Sequence, residues 1–311
     1  MFTWKFKKTK YLLVIVSLLS ILLTQCTTAP AETPTEVAAG PVVEATGLAE
    51  YKPVAGGLVE EIKQRGVIRN GVECQNPPGE FYDPTTNDCL GYSIELAQKL
   101  ADKLGVKLEI VDTAWSGVIP SLYTKNFDLI WSSMTITEER KKAVDFSNPY
   151  GCDQVTWIVK KGDTSITKPA DLDGKIVATQ LNSAAELQAQ ELEASENIKY
   201  KELKAFDHFD GAYLSVTTGQ TDIATSTAWN NIPLFKAQPD SFDVAFSLPI
   251  FNYVGVAIRK QDSDLTKVVN DLLKELEASG EMADLQYKYY GYAFNCGEQG
   301  PNAPADWVAP K

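Results

Sequence analysis

Histidine is almost missing from this chain, with His208 standing alone among 311 residues. Imidazole is the commonest metal ligand and the commonest general acid–base group near neutral pH, so its scarcity argues against both kinds of site. Neither Cys-x-x-Cys nor His-x-x-x-His occurs, so no zinc site is written in the sequence, and no metal or cofactor is expected. Cations are short as well: 29 Lys and Arg stand against 41 Asp and Glu, a formal net charge of -12. The first 25 residues hold Lys5, Lys7, Lys8 and Lys10 and no acid, so removing them leaves about −16. Phosphate neutralisation needs Lys and Arg, which rules against nucleic acid and anionic membrane surfaces as partners. Long apolar runs are lacking beyond residue 23. The one run, 11–23, comes after a basic start and is too short for a comfortable membrane span. It fits the apolar region of a signal peptide over residues 1–25, so the chain is expected to be exported.

The next segment reads as a tether. Residues 26–57 are rich in Ala, Thr, Pro, Glu and Val without a sustained period, a composition that cannot bury a core. Leu23-Thr-Gln-Cys26 resembles a lipobox, which would make Cys26 a lipidated anchor to the membrane. The competing reading is ordinary cleavage after Ala29-Pro-Ala31. Cys26 leaves the disulfide count either way, and Cys74, Cys89, Cys152 and Cys296 remain, an even number for an oxidising periplasm or cell surface. Four cysteines allow three pairings. The expected bonds are Cys74–Cys89, closing a short loop, and Cys152–Cys296, tying the C-terminal end to the middle of the chain.

The stretch 127–140, FDLIWSSMTITEER, organises the rest. Residues 127–131 read as a short buried strand. Thr137 ahead of Glu138 and Glu139 reads as the N-cap and acidic first turn of a helix. Arg140 then places a guanidinium at the positive end of a helix dipole, where a cation is disfavoured unless an anion is near. With the hydroxyls of Ser133 and Thr135 just before it, the constellation suits a carboxylate ligand. The rival is a salt bridge from Arg140 to Glu138, Glu139 or Asp145. Around this stretch the chain alternates: helix then strand 67–72, helix 92–104 capped by Gly105, strand 106–111, helix 116–123, and beyond residue 150 a second series. Ser183-Ala-Ala-Glu186 is a capping box opening a helix. Such β-α alternation implies a largely parallel sheet with helices on both faces and ligands beyond the strand ends.

GYSIELAQKLA at 91–101 together with SSMTITEERKKAVDFSNPY at 132–150 strongly resembles the family 3 extracellular solute-binding proteins, the polar-amino-acid receptors of ABC importers. The likeness runs from about residue 58 to 291. It implies an α/β, two-lobed periplasmic-binding-protein-like (type II) fold with two hinge crossings, near 150–152 and 251–254. Lobe 1 is expected over 58–151 and 254–296, lobe 2 over 152–253, with a tail at 297–311. The resemblance further implies that Arg140 clamps the α-carboxylate, and that Ser133 and Thr135 bond to that carboxylate or to the α-ammonium. Ser183, in Asn182-Ser183-Ala184 where the family has Gly-Thr-Thr, would meet the carboxylate from lobe 2. Glu73 matches an acidic position near the ligand's side chain in basic-amino-acid receptors. Phe81, Tyr82 and Trp115 are candidate apolar walls, with ordinary core burial as their alternative.

One position departs from the pattern. The family usually carries an aspartate for the α-ammonium where this chain has Thr227. A hydroxyl cannot offset the desolvation of a buried ammonium as a carboxylate does. Either another acid serves, Glu73 being the obvious one, or the ligand is a carboxylate that is not a standard amino acid. An enzyme of the cyclohexadienyl dehydratase type shares this fold, but it needs a positioned acid or base, and His208 reads as a solvated helix start. A sensory receptor domain is the third possibility. The expected protein is a monomeric, non-enzymatic substrate-binding component of an ABC importer, with a membrane permease as its partner.

Overall fold

The computed structural model describes residues 56–294. The helix Tyr92–Leu104 buries Tyr92, Leu96, Leu100 and Leu104 along one stripe and ends at Gly105, whose φ of 70° is the left-handed conformation glycine adopts freely. That stripe packs with Leu58 and Ile62 of Gly57–Arg65 and with Leu265, Val269, Leu272 and Leu276 of Ser263–Ser279, forming the core on one face of the first sheet. Val118, Leu122, Phe127 and Met134 fill the opposite face. The sheet runs Lys107–Asp112, Val67–Val72, Leu129–Ile130, Ala257–Ile258, Asp145–Phe146. Its first three strands are parallel, and Ala257–Ile258 lies antiparallel to both neighbours. The strand expected over 127–131 pairs only at Leu129–Ile130. Phe127 turns inward instead, and a Cβ on Gly71 would fall 2.4 Å from its ring, so this contact requires glycine.

The second sheet orders Glu202–Phe206, Ile176–Gln180, Ile223–Thr227, Gly151–Lys160 and Phe242–Val254. The first three are again parallel, while Gly151–Lys160 runs antiparallel to both of its neighbours. Helices Ala184–Ser195 and Phe209–Thr217 cover this sheet. The fold is thus two α/β lobes joined by two strands. Gly151–Lys160 and Phe242–Val254 pair with each other at the crossing, Gly151 opposite Val254 and Cys152 opposite Tyr253. The first lobe holds the crossing through Tyr150 N to Val254 O, 3.0 Å, and a bridge between Thr135 and Val254. Both parallel layers therefore aim their strand ends at the gap between the lobes, where ligands of such sheets bind.

Cys74 and Cys89 are disulfide-bonded, enclosing a three-stranded sheet of Gln75–Asn76, Glu80–Tyr82 and Cys89–Leu90. Cys152 is also disulfide-bonded. The expected signal segment, Cys26 and the expected tether up to residue 55 lie outside the described residues, as do Cys296 and the expected tail, while Gly57 already opens a helix. Among the described residues no helix is long and apolar enough to cross a membrane. Because Cys74 and Cys89 are 15 residues apart, their bond removes unfolded-chain entropy worth about 3 kcal/mol. Replacing both by serine is expected to lower the unfolding free energy by roughly that amount in urea titrations without reductant. An unchanged midpoint would show that the bond contributes nothing to stability.

Candidate ligand-binding cleft

Thr137 caps the helix Glu138–Ala143 by accepting from Arg140 N at 3.1 Å. The first-turn acids are spoken for, Glu138 by Lys141 and Glu139 by Lys142. Arg140 turns inward and is 8% exposed. Its Nη1 donates to Thr135 O and its Nη2 to Asn182 O, both at 2.9 Å, and its Cζ lies 5.3 Å from the centre of the Trp115 ring. Among the described residues no carboxylate pairs with it, and burial alone lowers its pKa to about 10. The chain supplies its own contrast in Arg259, equally buried but bonded to Asp262 at 2.6 Å and to the carbonyls of Leu122 and Phe127. Arg259 is what a structural arginine looks like here. Arg140 is a buried cation awaiting an anion.

The second lobe closes onto it. Ser183 caps Ala184–Ser195, accepting from Glu186 N at 3.1 Å, while Glu186 reaches back to accept from Asn182 N. Asn182 holds φ at 58°, the left-handed region that asparagine tolerates. Its carbonyl thereby receives both Arg140 Nη2 and, at 3.1 Å, Trp115 Nε1. Beside it Gln180 Nε2 donates to both oxygens of Glu73 at 2.9 Å, and His208 Nδ1 lies 2.9 Å from Glu73 Oε1. Burial raises the Glu73 pKa despite these partners. His208 is therefore no solvated helix start: it begins the helix Phe209–Thr217 but spends its ring on a carboxylate of the other lobe.

Ser133, the other strained site residue with φ 47°, donates its hydroxyl to Glu80 Oε1 at 2.9 Å and its N–H to Tyr150 Oη at 3.0 Å. Its hydroxyl proton being committed, Ser133 offers the cleft lone pairs, which suit an ammonium rather than a carboxylate. Thr227 caps the helix Ala228–Ala237 and lines the cavity together with Asp153, the acid that sequence reasoning missed. Asp153 is 5% exposed and also accepts from Gln154 N at 2.7 Å and from Trp229 N at 3.2 Å. Glu73, Trp115, Ser133, Thr135, Arg140, Asp153, Gln180, Ser183, Thr227 and Trp229 all line one cavity between the lobes. Phe81 does not. It sits in the disulfide-enclosed sheet, opposite Gln75 and Leu90. Glu80, Gln180 and Asp153 carried little sequence signal; the sole hint for Asp153 is that it is the one acid in the largely buried strand Gly151–Lys160.

A profile of the bacterial extracellular solute-binding proteins, family 3, matches residues 68–292. The chain belongs to this family. As a family 3 protein it is 32% identical over 236 residues to the L-cystine-binding protein of Escherichia coli, covering 76% of this chain and 86% of that one. It is 33% identical over 232 residues to the arginine-binding extracellular protein of Bacillus subtilis, covering 71% and 84%. The crystal structure of an ancestral amino acid-binding protein, a precursor of cyclohexadienyl dehydratase, superposes with a TM-score of 0.68 at 34% identity, covering 75% of this chain and 99% of that one. These proteins share the two-lobed architecture, and the curated relatives are binding proteins rather than enzymes.

Burial pushes the pKa values of both Glu80 and Asp153 up to about 7, where an unfolded carboxylate titrates near 4. Between those values the folded state binds more protons than the unfolded one, so stability falls as pH rises. The surface acids with lowered values, such as Asp163 and Glu281, are ionised in both states above about pH 5 and so add no slope there. The urea midpoint of ligand-free protein is expected to be lower at pH 8 than at pH 5, and Glu80→Gln should flatten that slope. A wild-type midpoint that rises over the same interval would contradict the buried acids.

Proposed function

We propose that this chain is the substrate-binding component of an ABC importer and that its closing cleft captures an α-amino acid. One observation carries the reading: a single cavity holds a buried guanidinium and a buried carboxylate, Arg140 and Asp153, and among the described residues neither has a partner of opposite charge. A zwitterion satisfies both at once. Arg140 takes the α-carboxylate as a bidentate clamp, helped by the Ser183 and Thr135 hydroxyls. Asp153, oriented by Thr227 and by the amides opening Ala228–Ala237, takes the α-ammonium together with the lone pairs of Ser133. The carboxylate expected at position 227 is thus supplied from the crossing strand rather than by Glu73. Trp115 walls the cleft beside Arg140.

Glu80 is fully buried behind Ser133, so it supports the ammonium site and performs no proton transfer on the ligand. The protein is proposed to act as a receptor, as its curated relatives are binding proteins. Export by the signal segment, lipidation of Cys26 and the 26–57 tether would hold the monomeric receptor near its permease, with Cys152–Cys296 as the second disulfide.

Arg140→Ala leaves the ligand's charge buried and unpaired, at a cost of about 2–5 kcal/mol, or roughly thirty- to several-thousand-fold in Kd. Arg140→Lys should recover part of this, because a point charge cannot make two parallel bonds. Asp153→Asn is expected to weaken binding by a similar order, and Thr227→Asp alone should also weaken it, through like charge beside Asp153. Combining Asp153→Asn with Thr227→Asp moves the carboxylate one strand over and should restore affinity. Calorimetry with the ligand identified by native mass spectrometry reads all five variants. An Arg140→Ala protein binding within about threefold of wild type would remove the clamp.

A further inference from the structure

We infer that His208 sets ligand specificity: by occupying Glu73 in the closed state it reserves the cleft for amino acids with an uncharged side chain. The inference rests on the amino-acid reading of the cleft. A zwitterion's two charges are met by Arg140 and Asp153. A basic side chain brings a third charge and needs a further anion. Apart from Asp153, Glu73 is the one acid among the residues lining the cavity. Its oxygens are already taken, Oε1 by His208 Nδ1 and Gln180 Nε2 and Oε2 by Gln180 Nε2, all at 2.9 Å. Gln180 is itself fixed by Asp207 O at 3.0 Å, one residue before His208.

These donors belong to the second lobe and Glu73 to the first, so the contacts form as the cleft shuts. Glu73 is 4% exposed when they do. A ligand cation could reach it only by evicting the imidazole, which forfeits a closing contact. An uncharged polar side chain meets instead a cluster whose acid is already satisfied. Specificity here comes from an occupied acid, so discrimination is built by what the wrong ligand must displace.

His208 is one-third exposed at its side chain, so its replacement does not disturb the core. The readout is the ratio of affinities and not their absolute size, because losing a closing contact weakens every ligand alike. The full-length chain is titrated calorimetrically with each of the standard amino acids and L-cystine. The tightest ligand should carry an uncharged side chain, with L-arginine and L-lysine about tenfold or more weaker. His208→Ala and His208→Gln should each shift that ratio toward the basic ligands by about fivefold or more, and adding Glu73→Gln to either should reverse the shift. A wild-type protein that prefers L-arginine or L-lysine, or a ratio moving less than that in both variants, overturns the inference while leaving the amino-acid reading intact. If no amino acid binds at all, that underlying reading fails and the inference with it.

Discussion

Arg140 is a cation held out of water, with no anion paired to it among the described residues, and that imbalance sits at the centre of the cleft. Removing a charge from water is tolerable only with bonds to replace hydration. Two carbonyls and the Trp115 ring supply part of them, yet carbonyl dipoles do not neutralise a guanidinium. The left-handed turn at Asn182 delivers one of those carbonyls from the second lobe. Closure thus already favours Arg140, and an anionic ligand adds what closure lacks. Arg259 shows the alternative solution within one chain: bonded to Asp262 and two carbonyls, it needs nothing further and stabilises the first lobe.

The same imbalance links the site to motion. The cleft contacts from Glu73 to Gln180 and His208, and from Trp115 and Arg140 to Asn182, each join a side chain of the first lobe to the second. Beneath them the crossing strands stay paired, and Trp229 stacks on Phe294 at 4.7 Å and lies 4.8 Å from Tyr290. A Cβ on Gly151 would stand 2.7 Å from the Trp229 ring, so the crossing tolerates no side chain there. An opening motion would pivot on this aromatic floor while the polar contacts above part. A ligand that bonds both lobes shifts such an equilibrium by its differential affinity for the closed form.

Much of the fold was legible because it depends on local rules. The apolar stripe of Tyr92–Leu104, its stop at Gly105 and the caps at Thr137 and Ser183 are each set within a turn or two of sequence. The features that escaped were non-local. The pairing of Gln180 with Glu73 spans 107 residues and that of His208 with Glu73 spans 135, so no window of sequence contains both partners. His208 looked solvated because it stands at a helix start with no acid-pairing signal nearby in sequence, whereas its partner belongs to another lobe. Phe81 misled in the opposite sense, an aromatic near the motif that the disulfide-enclosed sheet turns away from the cavity.

Thr227 shows why a motif read position by position can mislead where charge is concerned. The α-ammonium requires a carboxylate within reach, but electrostatics fixes the place of the charge and not the residue that bears it. Thr227 pairs with Val155 in the sheet, and Asp153 lies two residues along that same strand, on the same face. The hydroxyl of Thr227 lies close enough to the Asp153 carboxyl to favour its ionised form. The amide of Trp229 adds a donor from a helix N-terminus, which favours an anion there. Even so burial wins, raising the Asp153 carboxyl to about 7. An acid left that costly to ionise is stabilised by a cation from outside the chain, and a cation so placed would answer Asp153 while its own carboxylate answers Arg140.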